Sequence, residues 1–280
     1  MPTLNCEISE CLMQALRTRS ERTGEPLAHV VTTALADALE LDHATLFQVS
    51  TATALVKGVY NGVVTAGELK QHGDFGLGTF DGLDGEMVAL DGHFYQVRGN
   101  HEVTEVANDI KLPFAVVTTF RPQRMATIDS VTSFDALTAQ LDKMRRTENL
   151  FCAVRLTAQF DTVVCRAVCK AAHGESLVAA ASHQREFTFK GVRGTLVGFW
   201  TPAYARTINV AGWHLHFITA DHTGGGHVLD LQGSNVHLEI EDLDDVRIAI
   251  PETAEFLQAD LSQDPSQVLN KVERQKHGGN

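Results

Sequence analysis

The residues of this chain best suited to chemistry lie in Gly212-Trp213-His214-Leu215-His216-Phe217 and in the Asp221-His222-Thr223-Gly224-Gly225-Gly226-His227 stretch that follows. On an extended strand side chains alternate, so His214 and His216 share a face and Leu215 opposes them. The glycine run lets the chain reverse sharply, and a returning strand can bring His227 beside the pair. His222 lies in the turn itself, so spacing alone leaves both His222 and His227 open as the third member. Three neutral imidazoles facing one point, with a further position left for water or substrate, are the donor set of a catalytic zinc. The chain holds thirteen histidines, however, and any one of them is more often solvated or hydrogen-bonded than a ligand. The third histidine behind a glycine turn is what raises the His-x-His pair above chance.

At 280 residues the chain is long enough for two domains, each with its own core. A formal charge of −12 and a pI near 5.5 argue against broad attraction to nucleic-acid phosphates or anionic lipid and favour small-molecule chemistry. Five cysteines, Cys6, Cys11, Cys152, Cys165 and Cys169, form no even framework and read as free thiols. The start lacks a basic segment followed by an apolar run, and no stretch approaches the ~18 apolar residues of a membrane span. A soluble cytoplasmic protein is the expectation.

Residues 1–42 have a helical texture. Ser9 caps a helix carrying Leu12, Ala15 and Leu16, Gly24 stops it, and Pro26 opens a second with apolar residues at three- and four-residue steps. With a strand over Thr3–Ile8 this segment resembles a ribbon-helix-helix unit. Its three arginines face seven carboxylates, and Leu4–Ile8 carries no base-reading Arg or Lys, so an oligomerisation appendage is favoured over a DNA reader.

From residue 43 the texture becomes β-rich. Strands are expected at Leu46–Ser50, Gly73–Phe80, 113–120, Phe151–Phe160, Asp161–Val168, Gly194–Pro202, Val228–Leu231 and Asn235–Ile240. Thr65 and Glu68 are spaced as a capping box for a helix over 66–72, and Ser133–Arg145 has helical period. Asp84-Gly85 and Asp91-Gly92 bound a hairpin that starts at Glu86. The even glycines of Gly76 and Gly78 have no helix start behind them, so they serve close backbone approach rather than a dinucleotide. Cys165 and Cys169 read as buried strand residues, and Arg166, inside an apolar run, as either an edge arginine reaching solvent or an anion binder. Phe256–Asp260 reads as a strand, and the polar residues from Ser266 onward as a disordered tail. The expected fold class is α+β and β-rich: two mixed-sheet domains over 43–185 and 186–262, with the appendage before them and a tail over 263–280 after.

Gly73-Asp74-Phe75-Gly76-Leu77-Gly78-Thr79-Phe80, Leu83-Asp84-Gly85-Glu86, Gly194-Thr195-Leu196-Val197-Gly198-Phe199 and the histidine stretch ending Gly225-Gly226-His227 occur in one order. In these motifs residues 46–273 resemble the α-acetolactate decarboxylase family. The resemblance implies mixed β-sheets with a metal site between two domains, a homodimer or higher homo-oligomer, and 2-acetolactate as substrate. It makes His214, His216 and His227 ligands of Zn2+, leaves His222 aside, and places Glu86 and Arg166 in the active site. Glu273 in Lys271-Val272-Glu273 joins them, and Thr79 lines the same pocket.

The chemistry so implied is loss of carbon dioxide from acetolactate to give acetoin. The electron pair left behind passes to the adjacent ketone as an enediolate, with zinc chelating the hydroxyl and ketone oxygens as electron sink. Arg166 orients substrate oxygens, and Glu86 or Glu273 carries the proton. The rival reading is a DNA-binding or ligand-sensing protein built on a decarboxylase-like domain. A metal-dependent hydrolase is a third, supported by the histidines alone.

Overall fold

The structure, a computed structural model, describes residues 5–39, 44–172 and 174–274. The chain forms two compact units, Met1–His43 and Ala44–Asn280. The first holds α1 (Glu10–Thr23) and α2 (Leu27–Ala38). Ser9 Oγ accepts from Leu12 N at 3.3 Å, and Gly24 ends the helix at φ 75°, as the sequence requires. Of the expected strand, Thr3 and Leu4 lie outside the described residues, and Asn5–Ile8 form no strand. The described residues therefore show the helix pair without the ribbon.

The second unit runs in chain order through β1 (Thr45–Val49), α3 (Ala52–Val56), β2 (Val64–Thr65), α4 (Ala66–Leu69), β3 (Phe75–Thr79), β4 (Glu86–Leu90), β5 (His93–Val97), β6 (Val103–Glu105), β7 (Lys111–Leu112) and β8 (Phe114–Thr118). It continues through β9 (Arg124–Val131), α5 (Phe134–Met144), β10 (Phe151–Ala167), α6 (Leu177–Ser182), β11 (Arg185–Thr201), β12 (Gly212–Thr219), β13 (Gly225–Leu243), β14 (Asp245–Ala249), α7 (Ala254–Gln258) and α8 (Ser266–Arg274). The fold is α+β and β-rich.

One sheet has the order β14-β1-β8-β3-β4-β5-β6. In the other β10 pairs with β11 and with β13, β11 pairs with β12 and β12 with β13, so four strands close on themselves and β9 joins the outside of β13. Phe160, Leu156, Leu215 and Phe217 fill the interior of that ring. A separate core packs Phe75, Leu77 and Val116 of the first sheet against Val197, Phe199 and Ile218 of the second. The sheets do not divide at residue 186, where the sequence reading put a domain boundary. The second sheet already begins at Arg124, because β9 pairs with β13 and β10 pairs with β11 and β13 across that position, and β14 returns to the first sheet beside β1.

The sequence reading broke three long strands at local interruptions. Asp161 lies inside a 17-residue β10, Gly191 inside β11, and Gly233-Ser234 inside β13. Continuous partners on both sides carry β10 through, and the register shifts around Phe160 and Val164/Cys165 absorb the irregularities as bulges. The Phe256–Asp260 segment is the helix α7 rather than a strand, because Thr253 Oγ1 caps Phe256 N and Phe256 buries against Ala54 and Val59. The tail expected to be disordered forms α8, with Leu269 and Val272 buried, and residues beyond 274 lie outside the described set.

The hairpin that delivers Glu86 forms as expected, with Asp91 at φ 52° and Gly92 at φ 81° making its two-residue turn. Gly76 and Gly78 permit the close approach of β8: a Cβ would meet Val116 O at 2.3 Å and Phe114 O at 2.5 Å. Gly85, just before Glu86, has φ 89°, and a Cβ there would sit 2.3 Å from Val97 O. Gly85→Ala is therefore expected to destabilise the protein by at least about 1–3 kcal/mol, seen as a lower urea midpoint at an unchanged slope. A wild-type midpoint would show that the turn tolerates a side chain.

Candidate metal centre

On β12 the period of two sends Trp213, Leu215 and Phe217 into the ring core. His214 and His216 occupy the other face, with Ile218, which meets the first sheet. Strand register supplies the rest. His216 stands opposite His227 in β12–β13, and His227 stands opposite Arg166 in β10–β13. One row across three neighbouring strands thus lines up two imidazoles and a guanidinium. Because β10 is paired on both edges, Arg166 is not an edge residue reaching solvent; it is 3% exposed.

One nitrogen from each of His214, His216 and His227 lies within 4.8 Å of the others. His216 Nδ1 donates to the carbonyl of Met87 at 2.8 Å, which fixes its tautomer and leaves the Nε2 lone pair free; that buried Nε2 has no hydrogen-bond partner. His227 Nε2 lies 3.1 Å from the backbone oxygen of Glu273, and its Nδ1 lies 3.1 Å from His214 Nε2. Burial lowers the pKa of His214 and His216 to about 3, helped by Arg166 beside His214 and by His214 beside His216. Burial first, then Arg166, pushes His227 well below the usual imidazole range. Neutral imidazoles with a shared focus, a preset tautomer and an unpartnered nitrogen fit a bound metal ion. His222 is outside the set: it sits at φ 56° in the turn with Nδ1 3.1 Å from Tyr95 Oη.

Charged groups from three distant segments close around the imidazoles. Glu86, the first residue of β4, places Oε1 3.7 Å from Arg166 Nη1 and Oε2 3.6 Å from His216 Nε2, and the backbone N–H of Val168 donates to it at 3.4 Å. Burial raises its pKa to about 7, against the opposing pull of Arg166. Glu273, on α8, accepts from Arg166 Nη2 at 3.1 Å, with the same Oε2 3.3 Å from His227 Nε2 and 3.7 Å from His214 Nε2. Arg166 Nε remains unpartnered, a donor still available. Thr79 stands opposite Glu86 and lines the pocket, with its hydroxyl donating to Gly85 O at 2.7 Å. Thr79 thereby braces the turn that delivers Glu86.

All seven site residues expected from sequence line one small pocket of about 50 Å³. A polar cavity of about 290 Å³ adjoins it and shares His214, His227 and Glu273. Sequence reasoning missed the carbonyl of Met87 and the apolar pocket wall of Leu55, Phe114, Leu177, Val210, Leu269 and Val272. Those wall residues come from five separate stretches, although the Leu269/Val272 spacing was itself a helical signal.

The family described as alpha-acetolactate decarboxylase matches residues 46–263. An alpha-acetolactate decarboxylase of Brevibacillus brevis is 41% identical over 232 residues, 82% of this chain and 81% of that protein. The one from Methylococcus capsulatus is 39% identical over 269 residues, 95% of this chain and 99% of that protein. The X-ray crystal structure of alpha-acetolactate decarboxylase from Bacillus subtilis strain 168 superposes with a TM-score of 0.80 at 36% identity, covering 82% of this chain and all of that one.

If the three imidazoles form one site, titration with Co2+ should give one spectroscopically distinct equivalent per chain, and His216→Ala should abolish it. A full equivalent bound by His216→Ala would contradict the assignment, whereas His222→Ala should bind as wild type does.

Proposed function

Since the chain belongs to the alpha-acetolactate decarboxylase family and is an enzyme of that class, we propose that it releases carbon dioxide from 2-acetolactate at the His214/His216/His227 site, with zinc as the metal. The observation that carries this reading is the convergence of Glu86, Arg166 and Glu273 on the three imidazoles. A zinc ion held by these imidazoles would supply concentrated positive charge toward the hydroxyl and ketone oxygens of the substrate and so serve as electron sink.

The chain's own groups divide the remaining work. The bond from C2 to the carboxylate breaks, and its electron pair forms a double bond to the adjacent carbon as negative charge grows on the ketone oxygen. Arg166 cannot give up its proton in a protein, so it orients substrate oxygens and meets developing charge. That help lowers the barrier only where it is greater for the developing oxyanion than for the bound carboxylate. One proton must then reach a single face of C2 to give acetoin. Glu86 is the proton carrier: burial raises its pKa to about 7, and it meets Arg166 at Nη1 while Glu273 holds Nη2. Glu273 holds Arg166 from the α8 side and covers His227.

Acetolactate supplied to the wild-type protein should yield acetoin and carbon dioxide in equal amounts. Glu86→Gln should keep its metal and lose turnover by at least ~10²-fold, the scale of losing a general acid or base. Wild-type turnover in Glu86→Gln would make Glu86 structural.

A further inference from the structure

The decarboxylase reading leaves part of the pocket unused. In that reading the polar atoms of acetolactate would meet the ion held by the imidazoles, Arg166 and Glu86, yet much of the remaining wall is apolar. Phe114 stands on the part of that wall that belongs to the core between the two sheets, and Leu177, Leu269 and Val272 on another, where Leu55 packs against them. The second group comes from α6 and α8. Leu269, Val272 and Glu273 are spaced i, i+3 and i+4, so one face of α8 presents two apolar side chains and the carboxylate together.

This shared face links two properties that separate elements would keep apart. Leu269 and Val272 are 4% and 5% exposed, packed with Leu83, Val168 and Leu177. Glu273, one residue on, is held 3.1 Å from Arg166. Helix α8 has nine residues, too few to be stable alone, so its position is set by what its buried face touches. Any bulk that displaces Leu269 or Val272 outward must also move Glu273 away from Arg166 and His227.

Resting on the decarboxylase reading, we propose that Leu269 and Val272 determine substrate size, contacting the alkyl group on C2 of the 2-hydroxy-3-oxo acid. A larger alkyl group is rejected by displacing α8 and withdrawing Glu273 from Arg166. Discrimination then falls on kcat rather than KM, because the oversized substrate still binds while the charged cluster is misassembled.

The test compares acetolactate with its 2-ethyl homologue on the zinc-loaded full chain. For the wild type the homologue should have kcat lower by roughly 10- to 100-fold, the usual effect of one methylene in a fitted pocket, with KM changed by less than about 3-fold. In Val272→Ala and in Leu269→Val the ratio of kcat for homologue to kcat for acetolactate should rise at least ~5-fold. Phe114→Leu, on the other part of the wall, should leave that ratio within about 2-fold. Discrimination carried by KM alone in the wild type overturns the proposal, and that measurement needs no variant to fold. A ratio unmoved in active α8 variants, or moved only by Phe114→Leu, overturns it as well. No acetoin from acetolactate with the wild-type protein would instead remove the decarboxylase reading, and this proposal falls with it.

Discussion

A guanidinium buried inside a β-sheet is costly unless carboxylates answer it, and Arg166 is answered by two. Neither lies on its own strand. Glu86 opens β4 of the first sheet, and Glu273 sits on the last described helix, so satisfying one buried cation ties together segments 80 and 107 residues away in sequence, from Glu86 and Glu273 to Arg166. The same cation helps keep the imidazoles of His214 and His227 neutral, the form in which nitrogen can bind a metal. Formally one positive and two negative charges surround three neutral imidazoles. That balance leaves no excess positive charge to oppose a bound cation.

The two sheets do most of the positioning. Histidines and arginine are fixed by strand register, and a shift of one residue in β12 would turn His214 and His216 into the ring core and expel Leu215. The glycines of β3 let β8 approach closely, and Gly85 sets the turn from which Glu86 enters the pocket. Against these strands packs the nine-residue helix α8. It is held by two apolar side chains and by Glu273, and it closes the side of the pocket that the sheets leave open. Glu273 on that helix contacts His227, whereas His214 and His216 are held by the register of β12.

Much of this was legible in the sequence where the signal was local. The His214/His216 alternation, the Thr65–Glu68 capping box, the Asp-Gly turns around β4, the caps at Ser9 and Gly24 and the helical period after Ser133 all rest on spacings of a few residues. Three long strands were read as shorter pieces, because what carries β10 past Asp161 is pairing with strands more than twenty residues away. Arg166 was undecided between an edge and a buried role, since strand order is not written in strand composition. The last segment was misread for a related reason. Its polar residues face solvent, and its helix depends on docking Leu269 and Val272 into a core assembled from the rest of the unit. His222 and His227 were equal on spacing; the register that pairs His227 with both His216 and Arg166 separates them.

On the proposed function, carbon dioxide loss depends on an ion held by the three imidazoles. The most direct measurement is acetoin formation by protein stripped with a chelator and then reloaded stepwise with zinc. Activity should vanish on stripping and return in proportion to zinc, levelling at one equivalent per chain. Full turnover by the stripped protein, or a return that needs no zinc in the His214/His216/His227 site, would contradict the account.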